Sequence, residues 1–310
     1  MHMIIDTKDF ELPESIVVFG NFDGVHKGHQ MLINEALYKE TLTGYKTAFF
    51  TFEPHPLSVV TGREPKDIVF TPDEKKTVVK AMGIDYYIEY PFTMEVAHME
   101  PEVFVSEVIF KQLHAKYVIV GEDYRFGNKR AGDVTLLKAL GNKYGYEIIA
   151  FPKLCKGDRC YSSTWLRESV REGNLEEFDE LSGRAFRVTG IVEHGRELGR
   201  TIGYPTANVP TPKYKILPPK GVYASFTTVK GQRYRSITNV GVKPSSKTGE
   251  MIVETYILEF DEMIYGEEIL IEIVHHIRAE VKLESMEHLK VLIGSDMVKL
   301  GAYFKDHPLL

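Results

Sequence analysis

Two histidines lie at the start of a helical segment, where a phosphate site is expected. His26 and His29 belong to the stretch GNFDGVHKGH, which follows the apolar run SIVVF and precedes QMLINEALYKETL, a segment with helical spacing. The first turn of a helix has free N–H groups and a partial positive charge, and both attract phosphate. Both imidazoles project from this turn and can donate hydrogen bonds to phosphate oxygens and to charge that develops in a transition state. The plainer alternative is two surface histidines near a helix cap.

Three glycines interrupt the same stretch. Gly20, Gly24 and Gly28 have no side chain, so the backbone could come close to a bound ligand at each of them. The chain has neither the G-x-x-x-x-G-K-[ST] pattern of P-loop proteins nor the G-x-G-x-x-G pattern of dinucleotide-binding oxidoreductases. The sequence therefore argues against both of these classes.

A single acid on an apolar strand face marks a second candidate site. In IVETYILEF, alternate residues share one face of a predicted strand, and that face carries Ile252, Glu254, Tyr256, Leu258 and Phe260. Partial burial among such neighbours would raise the pKa of the Glu254 carboxyl towards the range of a general base. The alternative is an edge-strand glutamate that faces solvent.

The first half of the chain alternates short apolar strands with helical patterns. Predicted strands are 15–20, 46–53, 85–90, 116–121 and 146–151, and predicted helices are 30–42, 73–82, 102–113 and 133–144. Strands that are apolar on both faces are typical of a parallel sheet with helices on both sides. Ligands bind beyond the carboxyl ends of such strands, where GNFDGVHKGH, TFEPHP and GEDYRFG lie.

Beyond two short helices in SSTWLRESVREGNLEEFDEL, the pattern changes to period-two runs separated by glycine and proline. The predicted strands are FRVTGIV, GVYASFTTVK, YRSITNVG, IVETYILEF and EILIEIVHHIRAEV. They indicate an antiparallel barrel or sandwich, and a final helix over Ser285–Phe304 would pack on it. The domain boundary is predicted near Leu181–Gly183.

Composition limits the class of protein further. The 310 residues suit about two domains, and 38 basic against 44 acidic side chains give a formal net charge of −6, which argues against nucleic-acid binding. For Cys155 and Cys160 we expect two free thiols in a reducing cytoplasm rather than a disulfide. The N-terminus does not resemble a signal peptide, and no stretch reaches the ~20 apolar residues that span a bilayer. A soluble cytoplasmic protein is expected.

Several motifs resemble those of one enzyme family. GNFDGVHKGH resembles the G-x-F-D-G-x-H-x-G-H signature of the nucleotidylyltransferase superfamily, and SSTWLR resembles its S-S-T-x-[IL]-R motif. TFEPHP and GEDYRFG resemble the version found in bacterial FAD synthetase, and GRTIGYPTAN matches the riboflavin kinase motif G-R-x-[IL]-G-[FY]-P-T-A-N. Nearly end to end, the chain is similar to the bifunctional riboflavin kinase/FMN adenylyltransferase family.

The resemblance implies a fold and a pair of reactions. The fold would be an α/β Rossmann-like nucleotidylyltransferase domain over residues 1–182, followed by an all-β Greek-key barrel flavokinase domain over 183–310 with a C-terminal helix. The first domain would transfer AMP from ATP to FMN, giving FAD and pyrophosphate. The second would phosphorylate riboflavin to FMN with ATP and Mg²⁺. The implied partners are small nucleotides and flavins, with no nucleic acid and no membrane.

The resemblance also implies roles for individual residues. The catalytic residues would be His26, His29, Arg167 and Glu254. Nucleotide would contact Gly20, Phe22, Asp23, Gly24, Gly28, Ser163, Thr164, Gly203, Thr206 and Asn208. Flavin would contact Asp123, Phe126 and Tyr223, and Mg²⁺ would be held by Thr206 and Asn208.

One departure from the family pattern concerns the kinase half. The family usually has N-[IV]-G-x-x-P-T-F, whereas this chain has NVGVKPSS, so that Ser245 keeps the expected hydroxyl and Ser246 replaces the expected aromatic residue. The family's common histidine after the catalytic glutamate is Tyr256 here. We therefore expect riboflavin phosphorylation to be the weaker activity. The alternatives are an adenylyltransferase with an impaired kinase domain and a flavin-sensing regulatory protein.

Overall fold

The computed structural model describes residues 1–63, 67–195, 199, 202–242, 249–281 and 285–307. The chain divides into two compact units. The first unit comprises Met1–Pro65 and Thr71–Ser163, and the second comprises Lys66–Phe70 and Thr164–Leu310. This division puts the helices that precede Gly183 with the second unit. The predicted limits 1–182 and 183–310 stay a prediction.

A six-stranded parallel sheet forms the centre of the first unit. Its strands are β1 (His2–Ile5), β2 (Ser15–Phe19), β3 (Lys46–Glu53), β4 (Tyr86–Pro91), β5 (Ala115–Gly121) and β6 (Glu147–Phe151). Their spatial order is β1-β4-β3-β2-β5-β6, and every neighbouring pair is parallel. Each residue of the central strand β2 is buried, as expected when helices cover both faces. The predicted parallel sheet is confirmed, and β1 is an additional edge strand.

Except for the one over Pro101–Phe104, the α-helices of the first unit begin after a residue whose side chain caps a free N–H group. They are α1 (Lys27–Thr43), α2 (Pro56–Thr61), α3 (Pro72–Ala81), α4 (Met94–Ala97), α5 (Pro101–Phe104), which continues as a π-helical segment (Val105–Gln112), and α6 (Val134–Tyr144). Thr71 and Glu74 form a capping box at α3, and the Asp133 side chain accepts a bond from the Leu136 N–H at α6.

The two faces of β3 and β4 differ in character. One face carries Phe50 and Tyr90, whose rings stack 5.3 Å apart within the main apolar core. The opposite face carries Phe49 and Tyr87, whose rings stack 5.2 Å apart. Side chains alternate along a strand, so every second residue lies on this face. The residues that follow on it, nearer the carboxyl ends of the strands, are polar.

The two cysteines are joined, which corrects the expectation of free thiols. Cys155 and Cys160 form a disulfide across a short hairpin of β7 (Cys155–Lys156) and β8 (Arg159–Cys160). The strand register places these two residues directly opposite each other. A sequence spacing alone does not reveal such a register, because it depends on where the turn falls.

An antiparallel, nearly closed barrel forms the second unit, together with α7 (Ser163–Glu172, of which Ser163 belongs to the first unit) and α8 (Leu175–Ser182). Its strands are β9 (Phe186–Ile191), β10 (Ala207–Pro210), β11 (Gly221–Val229), β12 (Gln232–Val242), β13 (Met251–Ile257) and β14 (Glu268–Ala279). The sheet order is β10-β13-β12-β11-β14-β9, and a bridge between Glu193 and Asn208 brings the two edges together. The predicted barrel is confirmed.

A short segment from the first half of the sequence belongs to this second unit. Ile68 forms a parallel bridge with Lys215, and the Lys215 ammonium donates a hydrogen bond to the Val69 carbonyl at 2.9 Å. The Arg187 guanidinium lies 5.9 Å from the centre of the Phe70 ring. Residues on both sides of the predicted boundary therefore complete one compact unit.

The interior of the barrel contains a network of hydroxyl groups. Five fully buried hydroxyl side chains bond to one another at 2.6 to 3.3 Å, and they are Ser225, Thr227, Ser236, Thr238 and Thr255. A hydroxyl both donates and accepts, so such a network can satisfy itself without charge.

Among the described helices of both units, none combines the length and apolar content needed to cross a membrane.

The C-terminal helix α9 (Met286–Asp306) is attached to the barrel by a bidentate ion pair. From β14, the Arg278 Nε donates to Asp296 Oδ1 at 2.8 Å and its Nη2 donates to Asp296 Oδ2 at 2.8 Å. Asp296 is buried, and Phe304 of the same helix packs 5.1 Å from Phe226 of β11. The fork geometry of arginine matches the carboxylate and makes this pair stronger than a single contact.

We expect Asp296→Ala to destabilise the second unit by about 3 kcal/mol, because it leaves a partly buried guanidinium without its partner. A matched control is Glu262→Ala, which removes the exposed Lys230–Glu262 pair and should change the free energy of unfolding by less than about 0.5 kcal/mol. Unfolding in guanidinium chloride gives the free energy of unfolding of both variants, and amide hydrogen exchange of β14 and α9 locates the change. Equal stability of the two variants would contradict the prediction.

Candidate active sites

The loop between β2 and α1 is held in an unusual backbone conformation. Phe22 and Val25 have positive φ angles of 55° and 41°, which residues with side chains adopt rarely, and Gly24 has a φ of 76°. Phe22 is fully buried, and its ring lies 4.2 Å from that of Phe49 on the sheet. Packing against the sheet therefore compensates the backbone strain of the loop.

Two of the glycines make room for the protein's own rings. A Cβ at Gly20 would lie 2.8 Å from Cζ of Phe22, and a Cβ at Gly28 would lie 3.1 Å from Cε1 and Nδ1 of His26. Gly24 is required instead by its positive φ. The sequence suggested that these glycines admit a ligand, whereas the structure gives each of them an internal reason.

The two histidines are in direct contact at the start of α1. His26 is the N-cap residue, and its Nδ1 accepts a hydrogen bond from the His29 backbone N–H at 3.3 Å. The two imidazoles stack with centroids 3.7 Å apart, and the edge of Phe22 meets His29 at 5.0 Å. Because Nδ1 of His26 accepts, the ring proton of its neutral form is on Nε2, which is the donor left for a ligand.

Burial keeps both imidazoles uncharged near neutral pH. It lowers the pKa of His26 from 6.5 to about 4. The pKa of His29 falls well below its ordinary value because of burial, with smaller effects from His26 and the Lys75 ammonium. Nδ1 of His29 is buried and has no hydrogen-bond partner in the part of the chain that the structure describes. The pair therefore offers neutral donors rather than positive charge.

The start of the second motif is bonded to this loop. The Ser163 hydroxyl, at the first residue of α7, donates to the Asp23 carbonyl at 2.8 Å. Thr164 is exposed and Arg167 is half-buried, and both belong to the second unit. The structure thus brings together His26, His29, Asp23 and Ser163, while the roles of Thr164 and Arg167 stay predictions.

A buried lysine of α3 was missed by the sequence analysis. The Lys75 ammonium donates to the Asn21 carbonyl, inside the same loop, at 3.3 Å. In the sequence, DEKK is typical of a solvated helix face, and nothing in its pattern distinguishes Lys75 from Lys76. The capping box at Thr71 fixes where α3 begins, and so it fixes the face of the helix on which Lys75 lies. It was the one sequence feature that could have indicated this face.

Two residues predicted to contact flavin are placed differently in the first unit. Asp123 is exposed at the end of β5, and its Oδ2 lies 3.0 Å from the Lys153 ammonium. Phe126 is buried instead, with its ring against Phe104 and the backbone of Gly132. Phe126 is thus largely covered by the protein and Asp123 is accessible, and the predicted contacts of both residues with flavin stay predictions.

A cleft of about 460 Å³ lies beside the first turns of α1. Its walls come from α1 and from the segment at the end of β6, and they are Lys27, Gln30, Met31, Asn34, Glu35, Phe151 and Leu154. Four of these seven side chains are polar or charged, and the cleft is open to solvent.

In the second unit, strand register aligns the predicted kinase residues. Glu254 of β13 lies directly opposite Asn208 of β10 on one side and Asn239 of β12 on the other. Burial raises the pKa of Glu254, as the sequence predicted, while a hydrogen bond from the Asn239 side chain opposes this shift. Asn239 belongs to the NVGVKPSS stretch, but the sequence analysis gave it no role.

Described residues of the glycine-rich motif before β10 are bonded to each other through the backbone. The Gly199 carbonyl accepts bonds from the N–H groups of Ile202 and Tyr204, and a Cβ at Gly199 would lie 2.2 Å from the Tyr204 carbonyl oxygen. Gly203 has a φ of 88°. Thr206 and Asn208 follow these residues, and the Asn208 amide donates to the Thr206 carbonyl at 3.2 Å. The motif thus sets Thr206 beside Asn208 and the Glu254 strand.

Three details of the second-unit predictions need correction or qualification. Tyr223 is fully buried, and its hydroxyl donates to the Pro219 carbonyl, while its predicted contact with flavin stays a prediction. β13 ends at Ile257, so Leu258 and Phe260 lie beyond the strand face that Glu254 was predicted to share. Ser245 and Ser246 lie outside the described residues.

Comparison with known proteins agrees with this arrangement. A family model described as FAD synthetase matches residues 9–165, and one described as riboflavin kinase matches residues 182–304. Bifunctional riboflavin kinase/FMN adenylyltransferases of Haemophilus influenzae and Listeria monocytogenes are 31% and 33% identical to the chain. The first alignment covers 94% of each chain, and the second covers 98% of this chain and 97% of the relative.

This chain belongs to the bifunctional riboflavin kinase/FMN adenylyltransferase family. The match spans both candidate sites, since the first model includes His26 and Ser163 and the second includes Asn208 and Glu254. A solved structure described as a macrolide-efflux protein from Streptococcus pneumoniae is also similar, with a TM-score of 0.83 and 30% identity over 95% of this chain and 96% of that one. The expected family and the expected order of folds are confirmed.

Within this family member, the low pKa of His26 leads to a prediction about pH. Between about pH 6.5 and 4 the unfolded chain binds a proton that the folded His26 does not, so stability is lost as the pH falls through this range. At pH 5 the loss from His26 alone should be about 2 kcal/mol. Guanidinium unfolding at pH 7.5 and 5.0, with an NMR titration of the ring, measures it.

The control for this pH effect is a pair of variants. His26→Gln should lose the His26 part of the pH dependence, and His2→Gln, at an exposed edge-strand residue, should keep it. A His26 ring signal that titrates near pH 6.5 would contradict the buried, neutral imidazole.

Proposed function

We propose that this chain makes FAD in two steps, phosphorylating riboflavin to FMN and then transferring AMP from ATP to FMN. The observation that carries the proposal is the pair of buried, neutral histidines at the N-terminus of α1, with the Ser163 hydroxyl bonded into the same loop. A helix N-terminus with neutral imidazole donors suits a polyphosphate. A flavin-sensing protein would not require Glu254 beside two asparagines in the barrel.

In the adenylyl transfer, an FMN phosphate oxygen attacks the α-phosphorus of ATP. The bond from this phosphorus to the bridging oxygen breaks, and pyrophosphate leaves with the bonding electrons. Such a step depends on positioning and on stabilisation of negative charge rather than on covalent catalysis. Nε2–H of His26 and the free N–H groups of α1 would donate hydrogen bonds to the phosphates. His29, stacked on His26, would donate to the phosphates beside it.

The remaining adenylyltransferase roles follow the motifs. Ser163, Thr164 and Arg167 would hold the phosphates from the side of α7, with the Ser163 hydroxyl as the described link to the loop. Gly20, Phe22, Asp23, Gly24 and Gly28 would shape the loop around the nucleotide, and for Gly20 and Gly28 the support is their contact with the rings of Phe22 and His26. Asp123 would face the flavin from the end of β5.

In the kinase reaction, Glu254 would take the proton from the ribityl hydroxyl of riboflavin as this oxygen attacks the γ-phosphorus of ATP. The bond from this phosphorus to the β,γ-bridging oxygen breaks, and ADP leaves with the bonding electrons. Burial raises the pKa of Glu254, which strengthens it as a base. Asn239, which bonds to the Glu254 carboxylate, would orient it. The other phosphate contacts would come from Gly203 and from Thr206 and Asn208.

The donor set of the second unit fits Mg²⁺ when ATP is present. Thr206 and Asn208 supply a hydroxyl and an amide oxygen near Glu254, and the described residues contain no cluster of three His, Cys, Asp or Glu side chains that could enclose a metal. Mg²⁺ commonly keeps several waters and shares phosphate oxygens, so two neutral oxygen ligands suit it. When bound, the ion would neutralise charge on the ATP phosphates.

The proposal includes a cytoplasmic location, where ATP and flavins are available, and no nucleic-acid partner. The disulfide between Cys155 and Cys160 removes free thiols as an argument for that location. The adenylyltransferase-only reading remains the alternative for the kinase half, and we propose that riboflavin phosphorylation persists as the weaker activity. The direct test incubates the protein with ATP, Mg²⁺ and either riboflavin or FMN, and separates the flavin products.

His29→Ala should slow the conversion of FMN to FAD by about a hundredfold, the effect of losing one preorganised donor. The assay follows FAD by chromatography with saturating ATP. His2→Ala, at an exposed histidine of the same unit, should leave the rate unchanged. Unchanged FAD formation by His29→Ala would remove His29 from the mechanism.

Glu254→Gln should abolish riboflavin phosphorylation and spare FAD formation from supplied FMN, because the amide cannot accept the substrate proton. Glu268→Gln, at the exposed start of β14, is the matched control and should keep both activities. If the wild-type protein converts FMN to FAD but makes no FMN from riboflavin in either flavin redox state, the kinase half of the proposal is wrong.

A further inference from the structure

The second face of β3 and β4 becomes polar where it approaches the loop. Thr51 and Glu53 follow Phe49 on this face of β3, and Glu89 of β4 lies opposite Thr51. Helix α3 brings Lys75 to the same place, since its ammonium interacts electrostatically with Glu53, Glu89 and Asp23. A charged cluster thus lies behind the loop that carries the two histidines.

Lys75 is an unusual member of this cluster. Its side chain is only 7% exposed, and burial lowers its pKa against the opposing effect of the three carboxylates. Within the described residues, its one hydrogen bond is to the Asn21 carbonyl at 3.3 Å, and it forms no ion pair. Two of its three ammonium hydrogens are therefore without an acceptor there.

The neighbouring Lys76 shows the contrast. Its ammonium lies 3.2 Å from Asp73 Oδ1 and 3.3 Å from Glu89 Oε2, so its charge is compensated by the protein itself. A second carboxylate oxygen of the same Glu89 accepts from the Tyr87 hydroxyl at 3.1 Å. Both carboxylate oxygens of Glu89 thus have other donors, whereas two ammonium hydrogens of Lys75 have no acceptor among the described residues.

Two more buried polar atoms of the first unit have no hydrogen-bond partner among the described residues. They are Nδ1 of His29, whose pKa Lys75 helps to lower, and Oγ1 of Thr51, which is fully buried on the facing strand. Folded proteins pair nearly all buried polar atoms, so a group of unpaired ones calls for an explanation. A ligand that brings several acceptor oxygens would satisfy the donors among them together.

We propose that Lys75 is a further substrate-contacting residue of the adenylyltransferase site, whose free ammonium hydrogens bind phosphate oxygens of ATP or FMN. This inference rests on the proposed function of the first unit. The stacked histidines are neutral, so they donate hydrogen bonds without supplying charge, whereas the leaving pyrophosphate gains negative charge. A buried ammonium fixed to the loop adds positive charge where solvent does not screen it.

The first test compares three variants in FAD formation from FMN and ATP. Lys75→Met keeps the length of the side chain and removes the charge, and it should lower kcat about a hundredfold. Lys75→Arg keeps the charge and should recover at least tenfold of that loss. Lys76→Met is the matched control on the same helix and should stay within about twofold of the wild type. A Lys75→Met variant that folds and keeps its kcat overturns the proposal.

The second test uses the wild-type protein and does not depend on turnover. ¹H–¹⁵N spectra of lysine ammonium groups, with Lys75 assigned through Lys75→Arg, are recorded with a non-hydrolysable α,β-methylene ATP analogue and separately with FMN. A shift of the Lys75 signal with the analogue assigns it to ATP phosphate, and a shift with FMN alone assigns it to FMN phosphate. No shift with either ligand overturns the proposal, even if Lys75→Met fails to fold.

The two tests separate this inference from the function on which it rests. If the wild-type protein forms no FAD while Lys75 responds to the ATP analogue, the proposed reaction is wrong and the phosphate contact holds. If FAD forms and both tests on Lys75 are negative, the reaction holds and Lys75 is only structural. His29 provides a further readout, because loss of a nearby positive charge in Lys75→Met should raise the pKa of His29. The other titratable groups around Lys75 and His29 are unchanged in this variant, and they are Asp23, Glu53, Glu89, His26 and Lys76.

Discussion

A column of five aromatic and imidazole rings holds the first site together. From the sheet outwards, Tyr87 stacks on Phe49, and Phe22 lies tilted against Phe49. Phe22 meets His29 edge-on, and His29 stacks on His26. The strained backbone at Phe22 and the narrow space at Gly20 and Gly28 make sense only with these rings in place. Chemistry at the helix start thus depends on packing that reaches down to the β-sheet.

The second site depends on a different constraint. Asn208, Glu254 and Asn239 are aligned by hydrogen-bonded register across three neighbouring strands, so a slip of one residue would turn Glu254 to the other face. Behind them, Thr255 belongs to the buried hydroxyl network, which gives β13 bonds that apolar side chains would not provide. Packing fixes the first site, and strand pairing fixes the second.

Sequence periodicity predicted the parallel sheet and the antiparallel barrel, and the motifs indicated the residues of the two candidate sites. Strands such as β2 and β3 were visible because both faces are apolar, whereas β1 was missed because it is a short, largely exposed edge strand. The pattern placed Glu254 next to apolar residues but could not show which strands flank it. Phe126 and Tyr223 were predicted to contact flavin from the family resemblance, and only the fold reveals that both are buried. Lys75 was missed for the opposite reason, since a lysine among charged neighbours resembles a solvated one.

The segment Asp67–Phe70 has a consequence for the order in which the chain is made. Lys215, the partner of Ile68, is 147 residues further along, and at roughly 5–20 residues per second the ribosome needs about 7 to 30 seconds to reach it. During that interval Ile68 lacks the residue with which it forms its bridge. The second unit therefore cannot complete its pairing until Lys215 has been synthesised.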